Sequence, residues 1–231
     1  MRVLLQPACI LHRRPYRETS LILDLFTSEF GRRSLVARGV RKLKSRWAGL
    51  LEPFQLLLVS WSGRGEMGTL LHIELQTRYQ LSSGPTLRAA FYLNELIIRL
   101  LAKHDPYPEF FRQYWISLTG LSFETDHEQV LRVFERELLA HLGYGVITDK
   151  DADAGRTISP NQRYHYNAEY GPSSTRVQGC PIHGASLLAL GSGKFSSQTE
   201  RDEAKRLMRY LLSIHLGDRP LGSRSLFLPH P

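Results

Sequence analysis

Residues 32–46 carry the densest positive charge in the chain. The run reads Arg-Arg-Ser-Leu-Val-Ala-Arg-Gly-Val-Arg-Lys-Leu-Lys-Ser-Arg, with seven basic side chains and no acidic one. Guanidinium and ammonium groups at this density suit a polyanion, whereas a merely solvated surface usually mixes both signs of charge. The run therefore predicts a binding surface for a polyanion, with nucleic acid as the first hypothesis.

Nearly all of the net positive charge lies in one third of the chain. Residues 1–80 hold 13 Lys and Arg against 6 Asp and Glu, whereas residues 81–231 hold 17 against 16. Nearly the whole formal charge of +8 therefore belongs to the first segment. The remainder is close to neutral, which suits protein docking better than a second nucleic-acid surface.

Several aromatic residues lie within or beside the basic run. Barrels that bind single strands combine a charged groove with stacking rings, and the candidates here are Phe26, Phe30, Trp47 and Trp61. The alternative is that Phe26 and Phe54 fill a barrel core, as large apolar residues usually do. Trp47 lies next to Arg46, and we predict it to be the exposed ring.

Two patterns could hold a metal. Cys180-x-x-His183 has the spacing of half a zinc site, but zinc needs two further ligands, so we predict no metal. Asp149, Asp151 and Asp153 suggest a Mg²⁺-dependent nuclease or, alternatively, a solvated turn.

No catalytic constellation accompanies these patterns. Residues 63–68 match G-x-G-x-x-G, but a strand follows them instead of the helix that a dinucleotide site requires. The P-loop, the nucleophile elbow and the H-E-x-x-H motif are all missing from the sequence. We therefore predict a protein that is not an enzyme and needs no cofactor.

The hydrophobic pattern divides the chain into strands followed by helices. Short apolar runs bounded by turn residues predict five strands and a small closed barrel; they lie at residues 8–12, 20–27, 33–38, 54–61 and 69–75. Helical spacing follows over residues 87–101, 110–121 and 130–142. Capping boxes at Thr125-x-x-Glu128 and Ser197-x-x-Glu200 open helices. Residues 149–184 lack a clear period, although residues 164–166 suggest a strand.

Composition indicates the cellular compartment in which the protein works. Two cysteines give no disulfide framework, no apolar stretch approaches the ~20 residues that span a bilayer, and no secretory pattern is present. We expect a cytoplasmic monomer without a membrane partner, and the nucleic-acid hypothesis for the basic run implies association with the nucleoid.

Several short motifs occur in a characteristic order. Tyr16-Arg17-Glu18-Thr19-Ser20 precedes Leu25-Phe26-Thr27, and Leu35-Val36-Ala37-Arg38-Gly39-Val40-Arg41 and Pro53-Phe54 follow. Leu93-Asn94-Glu95-Leu96, Phe134-Glu135, Leu138-Leu139, Leu142-Gly143-Tyr144-Gly145 and Leu221-Gly222-Ser223-Arg224-Ser225-Leu226-Phe227 lie in the helical part. Together they resemble the RecO family of bacterial recombination mediators over nearly the whole chain, in its enterobacterial-type branch.

The resemblance implies an α+β multidomain fold: an N-terminal five-stranded OB-fold β-barrel followed by an all-α helical bundle with an irregular insertion. The expected domains are an OB-fold DNA-binding domain at 1–80, a helical domain at 81–148, an insertion at 149–184 and a C-terminal helical segment at 185–231 that packs on the helical domain. Many relatives carry a four-cysteine zinc module in the insertion. This chain keeps only Cys180 there, as in zinc-free members.

The resemblance also implies function. Family members bind single- and double-stranded DNA, anneal complementary strands and help load RecA on DNA coated by single-strand-binding protein (SSB), with RecR as the usual partner. They bind the acidic SSB tail, and Arg132 matches a position implicated in that contact; the alternative is a solvated helix charge. We expect the phosphate contacts to come from Arg32, Arg33, Arg38, Arg41, Lys42, Lys44 and Arg46, with Trp47 beside them. The rival functions are a metal-dependent nuclease and an RNA-binding OB protein.

Overall fold

A computed structural model of the chain describes residues 1–42, 45, 47, 49–63, 65–79, 81, 84–123, 126–217, 219 and 221–225. Its elements in chain order are β1 (Arg2–Tyr16), β2 (Ser20–Thr27), β3 (Gly31–Ala37), β4 (Gln55–Ser62), β5 (Met67–Arg78), α1 (Gly84–Leu100), α2 (Pro108–Phe123), α3 (His127–His141), β6 (Arg163–Asn167), β7 (Gly171–Ser173), β8 (Cys180–His183), α4 (Gly184–Ser192), α5 (Gln198–Leu216) and α6 (Gly222–Ser225).

The first five strands close into a barrel in the order β1-β2-β3-β5-β4. All pairs are antiparallel except β3 with β5, which pair in parallel over Ser34–Val36 and Met67–Thr69. The predicted five-stranded, OB-like barrel is therefore confirmed. β1 begins at Arg2 and not at Ala8, because pairing with β4 extends from Ala8 back to Arg2 across a register shift between Val3 and Gln6.

Alternate residues of each strand fill the barrel. Leu23 and Leu25 on β2, Leu35 on β3 and Leu57 and Val59 on β4 are fully buried in one cluster. Burying each such side chain contributes about 1.5–3 kcal/mol. The other face of β2 is also used, since the ring of Phe26 is buried outside this cluster, against Phe110 and Phe111 of α2.

Buried hydrogen bonds join α1 and α2 to the barrel. The Asn94 side chain donates to the Leu11 carbonyl at 2.9 Å, and the Tyr114 hydroxyl donates to Asn94 at 2.7 Å. These bonds satisfy polar groups that would otherwise be costly to bury. Burial also raises the pKa of the Tyr114 hydroxyl well above its ordinary value.

The chain divides into two compact units, 1–123 with 221–231, and 124–220. Helices α1 and α2 belong to the barrel's unit, whereas the sequence analysis grouped them with α3. None of the helices in the described part of the chain combines the length and apolar character needed to cross a bilayer.

The helix caps of the second unit follow the sequence in part. Ser197 and Glu200 form the predicted capping box of α5. The N-cap of α3 is Asp126, whose carboxylate accepts from the Gln129 amide at 3.2 Å. The predicted cap Thr125 lies outside the described residues.

The segment predicted to be irregular contains a three-stranded sheet, ordered β7-β6-β8. The predicted strand at residues 164–166 lies in β6. Side chains of α5 satisfy the outer edge of β8: Glu203 accepts from the His183 amide at 2.9 Å and Arg206 donates to the Pro181 carbonyl at 2.6 Å. An edge strand with its backbone groups bonded in this way is protected from pairing with other chains.

Candidate nucleic-acid interface

The first arginine of the basic run caps a helix. Arg32 Nη1 donates to the carbonyls of Ile98 at 2.6 Å and Leu101 at 2.8 Å, where α1 ends. The last carbonyls of a helix lack intrahelical partners and carry partial negative charge, so a guanidinium there is stabilising. Burial lowers the pKa of Arg32. The phosphate contact of Arg32 stays a prediction, and the bonds of its guanidinium within the fold do not favour it.

The second arginine is also used internally. Arg33 is 9% exposed, and its Nη1 lies 2.5 Å from Nδ1 of His104. The segment that contains His104 lies along the edge of β3, because the His104 amide donates a hydrogen bond to the Arg32 carbonyl at 3.1 Å. Burial lowers the pKa of Arg33 as well. The phosphate contact of Arg33 likewise stays a prediction that its burial does not favour.

Three later residues of the run, Arg38, Arg41 and Lys42, are exposed after β3 ends. The pairing of Leu21 with Ala37 brings this segment to the same barrel end as the β1–β2 turn. The Arg41 amide donates to the Thr19 carbonyl at 2.9 Å, and its Nη1 donates to the Glu18 carbonyl at 3.2 Å. These bonds fix the segment beside the turn.

The end of β1 and the β1–β2 turn contribute two further cations, which lie outside the predicted set. Arg14 and Arg17 are exposed on β1 and in the turn. With the three residues after β3 they form the barrel-end cluster: Arg14, Arg17, Arg38, Arg41 and Lys42. Within residues 13–20 and 37–42, the one acidic residue is Glu18. The registers of β1 with β2 and of β2 with β3 are the signal that could have found Arg14 and Arg17.

The remaining residues of the predicted DNA-contacting set are Lys44, Arg46 and Trp47. Lys44 and Arg46 lie outside the described residues. Trp47 is partly buried and packs on the barrel core, so the prediction of an exposed ring is wrong. The aromatic ring at the cluster is that of Tyr16, with the Arg17 guanidinium 5.2 Å from its centroid. That separation is typical of a cation–π contact.

Arg132 is not a solvated helix charge. It is 4% exposed, and its Nη2 donates to Glu135 at 2.6 Å within α3. Its Nε and Nη1 make no hydrogen bond. Buried unsatisfied donors are rare in native proteins and call for an explanation. An incoming anion is one group that would satisfy them.

Two of the three aspartates of the nuclease hypothesis, Asp151 and Asp153, accept hydrogen bonds from groups of the same unit. Asp151 accepts from the Ala154 amide at 2.7 Å, and Asp153 accepts from the Ser173 hydroxyl at 2.6 Å and the Ser174 amide at 2.8 Å. The hydrogen bond from the Ala154 amide is the main cause of the lowered pKa of Asp151. The hydrogen bond from the Ser173 hydroxyl is the main cause of the lowered pKa of Asp153. Oxygens used in this way are poorly placed to hold Mg²⁺.

The Cys180-x-x-His183 motif lies along β8. Residues three apart in a strand point to opposite faces, so the thiol and the imidazole cannot converge on one ion. Cys180 is buried, whereas Nδ1 of His183 lies 2.8 Å from Glu203. Among the described residues, no group of three or more His, Cys, Asp or Glu is placed to hold a metal.

The chain is similar to proteins of known name along nearly its whole length. Residues 1–79 match the sequence model described as Recombination protein O N terminal, and residues 81–225 match Recombination protein O C terminal. The chain is 46% identical to DNA repair protein RecO of Nitrosococcus oceani over 98% of this chain and 93% of that one. It is 45% identical to the protein of that name from Methylococcus capsulatus, over 98% and 93%. The corresponding protein of Aliivibrio fischeri is 40% identical, over 97% and 95%. These matches confirm the resemblance, and the chain therefore belongs to the RecO family of DNA repair proteins.

Proposed function

We propose that this protein is a recombination mediator that binds single- and double-stranded DNA, anneals complementary strands and helps load RecA on SSB-coated DNA. The observation that carries the proposal is the barrel-end cluster, in which five exposed cations from two segments meet beside one aromatic ring. RecR is its expected protein partner, and the protein acts as a monomer without a cofactor. None of these activities requires a catalytic residue.

The cluster supports strand binding through phosphates. Cations that contact phosphates release condensed counterions, and this release drives association without reading sequence. A cationic surface also lowers the repulsion between two polyanions, which is the electrostatic barrier to annealing. If about four side chains touch single-stranded phosphates, log K should fall with log salt at a slope of roughly −3.

The unsatisfied donors of Arg132 support recognition of the acidic SSB tail. A tail that ends in a carboxylate and an apolar ring needs cations for the first and a pocket for the second. Nε and Nη1 of Arg132 are donors without partners. The guanidinium is 4% exposed, so a small opening of the surrounding side chains must accompany the contact.

Annealing of SSB-coated complementary oligonucleotides tests the function. We expect the protein to accelerate annealing without a nucleotide and to leave strand lengths unchanged in Mg²⁺ or Mn²⁺. Strand cleavage would favour the nuclease. Stronger binding to RNA than to DNA of the same length, without stimulation on SSB-coated strands, would favour the RNA-binding alternative.

The tail contact needs variants that keep the fold. Removing Arg132 alone takes away the buried cation that bonds the Glu135 carboxylate at 2.6 Å and costs about 3–5 kcal/mol, whereas replacing both partners with apolar residues is often neutral. We expect Arg132→Met with Glu135→Met to remain folded and to bind a fluorescent tail peptide at least tenfold more weakly. Glu135→Gln, which keeps the guanidinium, should retain binding. Wild-type affinity of the double variant would remove Arg132 from the site.

A further inference from the structure

A second exposed cationic surface lies in the second unit. Arg163 on β6 is the register partner of His183 on β8, and residues directly opposite in antiparallel strands share a face. Arg163 is exposed, and the His183 side chain is 45% exposed. An arginine and a histidine therefore lie side by side on the open face of the small sheet.

Helix α5 adds two guanidiniums beside the same strand. Arg206 donates to the Pro181 carbonyl through Nη2, yet its side chain is 49% exposed and remains accessible to an external group. Arg209 is one turn further along α5 and is exposed. We name Arg163, His183, Arg206 and Arg209 the sheet-edge cluster.

The carboxylate at the base of this cluster is Glu203. It is 6% exposed and accepts from the His183 amide at 2.9 Å and the Ser186 hydroxyl at 2.7 Å. Its Oε1 lies 2.8 Å from His183 Nδ1 and 3.5 Å from Arg206. Nδ1 is thereby engaged, which leaves Nε2 of the ring for an external group.

The charge balance of the cluster is positive. Three guanidiniums stand against two carboxylates, those of Glu203 and Asp202, which leaves one net positive charge before His183 is counted. Asp202, the exposed acid one turn before Arg206, accepts from Gln198 at 3.1 Å. The near-neutral total of residues 81–231 therefore conceals a local cationic surface.

We propose that the sheet-edge cluster binds phosphates of a second DNA strand. Arginine guanidiniums bind phosphate oxygens through two parallel hydrogen bonds. Because Nδ1 of His183 donates to Glu203, the imidazole adds a donor at Nε2 in its protonated form. The inference rests on the proposed function, because a second strand matters only to a protein that already holds a first one. Annealing needs both strands on one molecule, and the two clusters supply one contact surface for each.

The test separates binding of the first strand from annealing. Arg163→Gln with Arg206→Gln removes two charges from the cluster, and Lys150→Gln with Lys194→Gln is the control, since both lysines are exposed in the same unit. We expect the first variant to anneal complementary 30-nucleotide strands at least about fivefold more slowly, with single-strand affinity within about twofold of wild type. The control should match wild type in both assays.

A further variant guards against a folding effect. Arg163→Gln with Arg209→Gln leaves the Arg206 bond at the β8 edge in place, and it should slow annealing similarly with an unchanged melting temperature. Wild-type annealing by both cluster variants would overturn the second-strand site while leaving the proposed function intact. Failure of the wild-type protein to bind or anneal DNA would instead refute the proposed function, and the inference with it.

Discussion

Arg32 shows that a basic residue in a cationic run can serve the fold. Its guanidinium neutralises the end of α1 through two short bonds to carbonyls, and it is partly shielded from water. A hydrogen bond to a charged group contributes about 1.5–3 kcal/mol. The side chain therefore links α1 to β3, and we propose the phosphate contacts for the exposed cations of the barrel-end cluster.

Arg32→Gln should lower the free energy of unfolding by about 2–3 kcal/mol, because two α1 carbonyls lose a charged donor. Arg38→Gln removes the same charge from an exposed position and should change stability by about 0.5 kcal/mol or less. Urea unfolding followed by circular dichroism measures both. Equal stability of the two variants would contradict the capping role of Arg32.

His104 gives the protein a pH dependence near neutrality. Burial lowers the pKa of His104, and the charges of Arg33 and Lys103 lower it further against the opposing effect of Glu66. The unfolded chain, with the ordinary pKa of 6.5, takes up the proton first as the pH falls. The stability contribution is therefore complete above pH 6.5 and is lost as the pH falls below it.

We expect the wild-type protein to lose more stability than His104→Gln between pH 7 and pH 5. Burial also lowers the pKa of His215. Because the wild type and His104→Gln both contain His215, its contribution cancels when their stabilities are compared. Chemical denaturation at several pH values measures the two slopes. Parallel profiles would show that His104 does not titrate differently on folding.

At the scale of elements, a glycine allows β3 to approach the segment that follows α1. Gly31 has a φ of +58°, and a Cβ there would lie 1.9 Å from the Asp105 carbonyl oxygen. No side chain fits that distance, and an L-residue is strained at this φ. The close approach is what allows Arg32 to reach α1.

Gly31→Ala should destabilise the protein by about 2–4 kcal/mol, from backbone strain and the clash with Asp105. Gly65→Ala is the matched control, because nothing lies within 4 Å of its added Cβ. The control should stay within about 0.5 kcal/mol of wild type. The two midpoints of thermal unfolding test this, and a tolerated Gly31→Ala would mean that the segment can move aside.

The sequence predicts the barrel better than the site. Leu23, Leu25 and Leu35 follow the period of a half-buried strand, so the strands and their order in the chain are visible in the pattern. Which arginines stay exposed is set by contacts between residues some 70 positions apart, as between Arg33 and His104. Such contacts leave no periodic signal.

Register explains the remaining differences. Arg14 and Arg17 join the cluster through the pairing of β1 with β2 and of β2 with β3. Trp47 packs on the core of a barrel whose closure no local sequence pattern predicts. β7 and β8 are only 3 and 4 residues long, too short to show alternation. Glu203 bonds the β8 edge from 20 residues away.

At the scale of the molecule, the two units carry different surfaces. The barrel's unit holds the barrel-end cluster and the chain's main excess of positive charge. The second unit holds the buried Arg132–Glu135 pair and the smaller sheet-edge cluster. We therefore propose the barrel for the first strand, and residues 124–220 for a second strand and a partner's acidic tail.

The salt dependence of DNA binding tests the central claim, that the barrel-end cluster is the DNA interface. For a labelled 20-nucleotide strand, the wild-type slope of log K against log salt should be about −3, and Arg38→Gln with Lys42→Gln should reduce it to about −1.5. Arg2→Gln with Arg112→Gln removes the same charge from exposed positions outside the cluster and should keep the slope near −3. A wild-type affinity that does not change with salt, or a cluster variant that keeps the wild-type slope, would contradict the account.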